Sequence, residues 1–420
     1  MPCAILFRRM LLTTALGVGT LLPAQAEPLA WPTSIAEAAA RNADLQAAHA
    51  SREAARYAQR GAYSGFLPQI SAGAAHTESS GSLVTAPSAY SGSVTATQNI
   101  FSGFLDSAKV EQAAGNLEVA EASYAAARAQ LSLDLKSAYA GLHHAQDNVE
   151  LTSKIVQRLS ENVRMVELRF EGGRENKGSL LLTRATLAQA RYENLQAQQS
   201  LVASQARLAR VLGRADAEAL SVAEPVPTTM PEPVSDFRAL ARETPSYRIL
   251  AAQERAAAAG VVLARAAFYP SINLSSTLSR EGADWFPDGS RRTLGVNVTI
   301  PIFNGGRDYN ATRSSAATLT AAGFNKEGTE RQLLVSLRQA HAAYVAAVEK
   351  LKVDAAYIEA AEARAQIARS KYNNGLMTFD DWDRIESDLI LRQKAWLASL
   401  RDRALAEAVW EQTQGKGVIP

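Results

Sequence analysis

The 420-residue chain is 47% hydrophobic but only 7% aromatic, and it sets 44 lysines and arginines against 42 aspartates and glutamates. That balance excludes the basic footprint of a nucleic-acid binder, and a single cysteine, Cys3, excludes a disulfide framework. Beyond residue 26 no run of about 18 apolar residues occurs, which excludes a membrane-spanning helix.

In chain order, residues 1–26 read as a secretory signal peptide. Arg8 and Arg9 precede the short apolar core "LLTTALGVGTLL", and "AQA" ending at Ala26 forms an A-x-A cleavage site. Cys3 lies before that core, so it is badly placed as a lipid acceptor. Without Arg8 and Arg9 the remainder carries 42 basic and 42 acidic residues.

A first repeat is expected over 27–224. It comprises a helix, a strand pair at about 69–79 and 90–101, and a long helical hairpin at about 104–213. A proline-rich linker follows at 225–234, where Pro225, Pro227, Pro231 and Pro233 forbid helix. A second repeat covers 235–420, with a strand pair at about 270–280 and 292–302 and a hairpin at about 307–412. One offset of 202 residues relates the copies. It carries "FLPQI" at Phe66 onto "FYPSI" at Phe268, "RFEGG" onto "KYNNG", and Phe101 of "IFSGF" onto Phe303 of "IFNGG".

No proline interrupts the chain between Pro87 and Pro225, or between Pro301 and Pro420. Within these runs apolar positions step by four and three, as in Leu131, Leu135, Ala138, Leu142, Ala145 and again in Leu333, Leu337, Ala340, Tyr344. A seven-residue period predicts helices packed side by side over a long seam. Each long helix would span on the order of 100 Å. Gly172, Gly173 and Gly375 end them, and with Arg174 and Asn374 form exposed tips whose glycines suit either a partner contact or a plain C-cap.

Ahead of each long helix the period falls to two. Ser271 to Leu278 and Leu294 to Ile300 alternate small polar and apolar residues, a pattern open to a half-buried soluble sheet or to a membrane strand. A length of about ten residues fits a tilted crossing of a bilayer. So do aromatic ends, with Phe66, Phe101, Phe268 and Phe303 on one side and Tyr90, Trp285 and Phe286 on the other. Four strands cannot close in lipid. Two chains would make a filled eight-stranded barrel and three a twelve-stranded one with a lumen. Gly103 and Gly305 would let the backbone turn from strand into helix, making Phe101, Gly103, Phe303 and Gly305 the joint between barrel and helices.

Signal, duplication, strand pairs, hairpins and "LPQI…IFSGF" together resemble the TolC family of outer-membrane efflux and secretion channels, over nearly all of the chain from "SIAEAAARNADLQ" to about Gln412. The resemblance implies an α+β membrane protein. It would be a homotrimer with a twelve-stranded β-barrel in the outer membrane of a Gram-negative bacterium and a periplasmic α-helical barrel below it. It implies a passive exit duct, not an enzyme, without cofactor or metal. Its partners would be outer-membrane lipid, a periplasmic adaptor, and an inner-membrane pump of the RND, ABC or MFS type. It further implies a gate at "KYNNGLMTFDDWDR", built from Tyr372, Asp380, Asp381, Asp383 and Arg384. Met377 stands where related channels can carry a basic latch residue and Arg384 where a second aspartate is expected, so Arg384 is expected to pair with Asp380 or Asp381. The plainer reading of these aspartates is a helix N-terminus favoured by its dipole.

His143 and His144 point in different directions and are read as having no ligand-type partner one turn on, so no metal site is expected. "DWFPDGS" lacks calcium-ligand spacing, and no nucleophile or phosphate motif occurs. The rival from another class is a periplasmic coiled-coil adaptor or scaffold.

Overall fold

The computed structural model describes residues 28–78, 88–215 and 220–420. The stretch read as a signal peptide lies outside these residues. The first copy runs α1 (Trp31–Arg41), α2 (Ala43–Ala62), β1 (Gln69–Glu78), β2 (Ser88–Phe101), α3 (Leu105–Glu171) and α4 (Lys177–Leu212). The second runs α5 (Phe237–Glu243), α6 (Pro245–Arg265), β3 (Ser271–Gly282), β4 (Gly289–Thr299), α7 (Arg307–Asn373) and α8 (Phe379–Thr413).

Two helices, not one, precede each strand pair. At Asn42 the backbone turns extended (φ −64°, ψ 122°), and the side chain accepts the amide of Leu45 at 3.0 Å while donating to the Val211 carbonyl at 3.0 Å. Thr244, 202 residues on, repeats the break ahead of Pro245, its hydroxyl accepting from the Tyr247 amide. An N-cap side chain thus starts a new helix where the apolar pattern alone reads straight through.

The two 67-residue helices α3 and α7, each about 100 Å long, organise one helical layer. Near the strands α3 lies between α2 and α6, and α6 packs on α7; towards the far end α3 lies between α4 and α8, and α8 packs on α7. The predicted seam is buried: Leu135, Ala138 and Leu142 are at most 1% exposed, as are Leu337, Ala365 and Tyr372. Alanine dominates because the helices approach closely. A Cβ on Gly115 of α3 would lie 3.0 Å from the Ala256 methyl of α6, so only small residues fit this crossing.

The proline segment is extended and firmly docked. The Thr229 amide donates to both carboxylate oxygens of Glu407 at 3.0 and 3.1 Å, and its carbonyl accepts from the Tyr344 hydroxyl at 2.6 Å. Glu407 is itself buried beside Lys136, whose ammonium donates to Glu411 at 2.7 and 2.8 Å. The chain end docks on α3 as well, where the Ile419 amide donates to the Ser132 hydroxyl.

The four strands form one antiparallel sheet in the order β1-β2-β3-β4. Cross-strand partners share a face. One face carries Ile70, Ala72, Val94, Leu278, Leu294, Val296 and Val298; the other carries Ser71, Ser93, Thr95, Ser275, Thr277 and Asn297. On the polar face the hydroxyls of Thr95 and Thr277 lie 3.1 Å apart. The apolar face is open, with Ile70 74% and Leu294 75% exposed.

The two "IF-x-G" segments are not equivalent. Phe101 closes β2 and pairs past a bulge with Ile272, whereas β4 ends at Thr299 and Phe303 stands free at 82% exposure. β2 is central and gains ladder bonds from β3; β4 is an edge strand, and Pro301 has no N–H to extend it.

Candidate functional site at the helix tips

Far from the sheet, both hairpins turn in the same way. The Arg174 amide donates to the Arg169 carbonyl at 2.8 Å and the Gly173 amide to the Phe170 carbonyl at 3.0 Å; Leu376 and Gly375 repeat this with Lys371 and Tyr372. This 6→1, 5→2 pattern needs a left-handed residue at its C′ position. Gly173 (φ 68°) and Gly375 (φ 74°) supply it, and a Cβ on either would meet nothing within 4 Å. Gly172 and Asn374 have φ of −79° and −83°, so the turn does not require glycine at residue 172. Asn176 and Thr378 then cap the returning helices, accepting the amides of Ser179 and Asp381.

Between the tips lies a buried aromatic cluster. Tyr372 and Trp382 stack with centroids 4.5 Å apart, and Phe379 packs on both. The Arg169 guanidinium sits 4.4 Å above the Tyr372 ring and donates to the Tyr372 carbonyl at 2.7 Å. The Tyr372 hydroxyl donates to Glu175 at 2.8 Å. Burial, reinforced by Glu175, pushes that phenol far above its ordinary range, so it remains a donor. One turn further along, Arg158 grips the buried Glu386 with two bonds of 2.7 and 3.0 Å. These contacts fasten the first hairpin to the second.

Of the expected gate residues, Tyr372 joins the cluster and the acids lie around it. Asp380, Asp381 and Arg384 are exposed, and Asp381 accepts from the Thr378 hydroxyl at 2.7 Å. Asp383 is half-buried, and burial, then Asp380 and Glu386, raise its carboxyl above the usual range. The expected pairing of Arg384 is not present: among the described residues it makes no ion pair. Thr378 occupies Asp381 instead, and residues 380 and 384 face water. Arg169, Glu175, Arg158 and Glu386 are missed in the sequence, because their contacts join residues about 200 apart; so is Trp382, which stacks on Tyr372 across the turn between α7 and α8.

At the sheet end, Gly103 (φ 64°) turns the chain from β2 into α3, and a Cβ there would lie 2.5 Å from that of Tyr269. Gly305 has the same φ but open surroundings. Phe104 also adopts a left-handed φ of 70°, held in edge-to-face contact with Phe101 and Tyr269; Gly306 takes its place in the second copy. Asp147 does lie one turn from His143 and meets its Nδ1 at 2.9 Å, a side-chain contact across one helical turn.

The sheet thus keeps an unpaired strand at each edge, above a helical layer with a free helix on each side. Residues 34–214 and 238–409 match the model of the outer membrane efflux protein family, and the chain belongs to that family. Among curated relatives, the alkaline protease secretion protein AprF of Pseudomonas aeruginosa is 23% identical over 287 residues, 66% of this chain. The match spans 58% of that relative's length. The outer membrane protein VceC of Vibrio cholerae has the same fold (TM-score 0.80, 24% identity, 92% of this chain and 96% of that one). So does the Campylobacter jejuni CmeC outer membrane channel (TM-score 0.82, 19% identity, 92% and 85%).

Proposed function

We propose that three copies of this chain close into a passive duct through the outer membrane and periplasm, serving as the exit of an efflux pump or a type I secretion system. The observation that carries this reading is the open sheet with its faces divided into apolar and hydroxyl-bearing. In lipid an edge must be paired, and twelve strands enclose a lumen that small polar side chains would line. The name of the AprF relative supports secretion as one use, and the family description supports efflux.

In the closed duct, the tip cluster of each subunit would hold the two hairpins together, while Asp380 and Asp381 from three copies would ring the axis and favour cations. Gly173, Arg174, Asn374 and Gly375 stand outermost, where a periplasmic adaptor would dock and carry the pull of an inner-membrane pump of RND, ABC or MFS type. The joint at Phe101, Gly103, Phe303 and Gly305 would sit at the inner surface of the membrane.

The test is extraction and conductance. The protein should sediment with outer membranes, resist carbonate and urea, run as a detergent-dependent trimer, and form cation-preferring pores in planar bilayers. A soluble monomer released by carbonate would overturn the reading in favour of a periplasmic scaffold.

A further inference from the structure

The apolar face of the sheet carries two cations that neither its hydrophobic character nor the proposed transport explains. Arg280 pairs in register with Ser290 and Gly92, and Arg292 with Leu278, so both project from the same face as Val94 and Leu294. They lie on diagonal positions of adjacent strands, within reach of one another. Arg280 stands eight residues beyond Ile272, about 26 Å along the strand at 3.3 Å per residue. Tilted by 35–45°, that is about 20 Å of height, inside the outer edge of a lipid-facing band of about 25 Å.

Neither arginine has an ion pair or hydrogen bond among the described residues. Glu78, on the same face, meets His76 at 3.6 Å, and Glu281 lies on the opposite face. Residues 79–87 contain no acidic residue at all. Next to the arginines, His76 stacks on Tyr90 at 4.2 Å, and Trp285 packs edge-on against Tyr90. His76, Tyr90, Trp285, Phe286, Arg280 and Arg292 border a groove of about 900 Å³.

Resting on the membrane reading above, we propose that this groove binds the phosphate-bearing headgroup of an outer-leaflet lipid, with Arg280 and Arg292 gripping the phosphate and Trp285 and Tyr90 against its sugar or glycerol. An arginine on a lipid-facing surface is disfavoured without a counterion, guanidinium matches phosphate in a two-pronged geometry, and aromatic rings settle at this depth. All three features converge on one ligand chemistry.

The test uses the purified full-length trimer in detergent and native mass spectrometry with three probes: bisphosphorylated lipid A, its dephosphorylated form, and inorganic phosphate. Retention of lipid A alone is expected, with R280Q/R292Q weakening it at least tenfold. The matched control is R291Q, which removes the same charge one residue away on the polar face. Equal retention of lipid A and its dephosphorylated form would overturn the proposal, and so would an equal loss in R291Q. If E78Q reproduces the loss, Arg292 is held by Glu78 of a neighbouring copy and the proposal also falls. A protein that sizes as a detergent-free monomer before any lipid is added overturns the membrane reading instead, and is distinguished at that step.

Discussion

The rings of Tyr372 and Trp382 lie 2° from parallel, 4.5 Å apart, both almost fully buried at the junction of α7 and α8. Trp382→Ala removes the platform on which Tyr372 and Phe379 rest, and truncation of a buried aromatic costs about 3–5 kcal/mol. The expected result is a larger open-state conductance without loss of trimer. Tyr372→Phe removes only the bond to Glu175, worth about 1.5–3 kcal/mol as a contact to a charged group, and should open the pore less often than Trp382→Ala. Unchanged single-channel records in both variants would remove the cluster from the gate.

Asp383 gives the tip a pH response. Its folded-state carboxyl is raised by burial, so the folded tip binds a proton more readily than the unfolded chain. Stability then falls as pH rises from the ordinary carboxylate range through the raised value, and is recovered on acidification. Asp383→Asn should stabilise the closed tip at neutral pH and match the parent in acid. Melting curves of the two proteins that stay separated by a constant interval at every pH would refute this.

Arg158, itself partly exposed, pairs with Glu386, whose side chain is only 3% exposed. Removing one partner strands a buried charge, at about 3–5 kcal/mol. Arg158→Ala should therefore lower the melting temperature more than the double change Arg158→Met with Glu386→Leu. A double-mutant cycle measures the difference, and additive losses would mean that the pair is not coupled.

The sheet predicts its own closure. The 202-residue offset carries Thr95 onto Asn297 and its partner Thr277 onto Ala75. Asn297 on β4 of one copy should therefore face Ala75 on β1 of the next, and both belong to the polar face. Cysteines at 297 and 75 should form an inter-subunit disulfide, seen as a trimer ladder on non-reducing gels. Cysteines at 297 and 76, which point to opposite faces, should not.

Glycine is required unequally at the two joints. Gly103→Ala meets both a left-handed φ and the Tyr269 side chain, whereas Gly305→Ala meets the φ alone, a cost of about 1–2 kcal/mol. Yield of folded trimer should fall sharply for the first and slightly for the second. Equal yields would contradict the close approach of Gly103 to Tyr269.

Much of this architecture can be read from residues one or two turns apart. The four-three stepping from Leu131 to Ala145 marks the buried stripe because helical periodicity acts locally. Alternation at Leu294 to Ile300 marks a two-faced strand for the same reason. The breaks at Asn42 and Thr244 are signalled by a capping side chain, which outweighs an uninterrupted apolar pattern. The tip is different. Nothing near Tyr372 announces that Arg169 will cover its ring, since that contact depends on how two hairpins pack. The end of β4 at Thr299 depends on the sheet order, because only at an edge does no second neighbour extend the ladder past Pro301, which has no N–H to donate. Arg384 misleads because charge complementarity in sequence ignores the competing Thr378 hydroxyl.

The docked proline segment has a consequence for assembly. A ring of six identical hairpin units would need six seams formed by collision; tethering units in pairs makes three of them intramolecular, at effective concentrations on the order of millimolar. Tethering also ends the equivalence of the units. Where Tyr372 stands in the second copy the first has Phe170, and where Trp382 stands it has Leu180. In the proposed trimer alternate seams can then diverge, so the duct can keep three strong clasps and three weak ones, and open along the weak ones first.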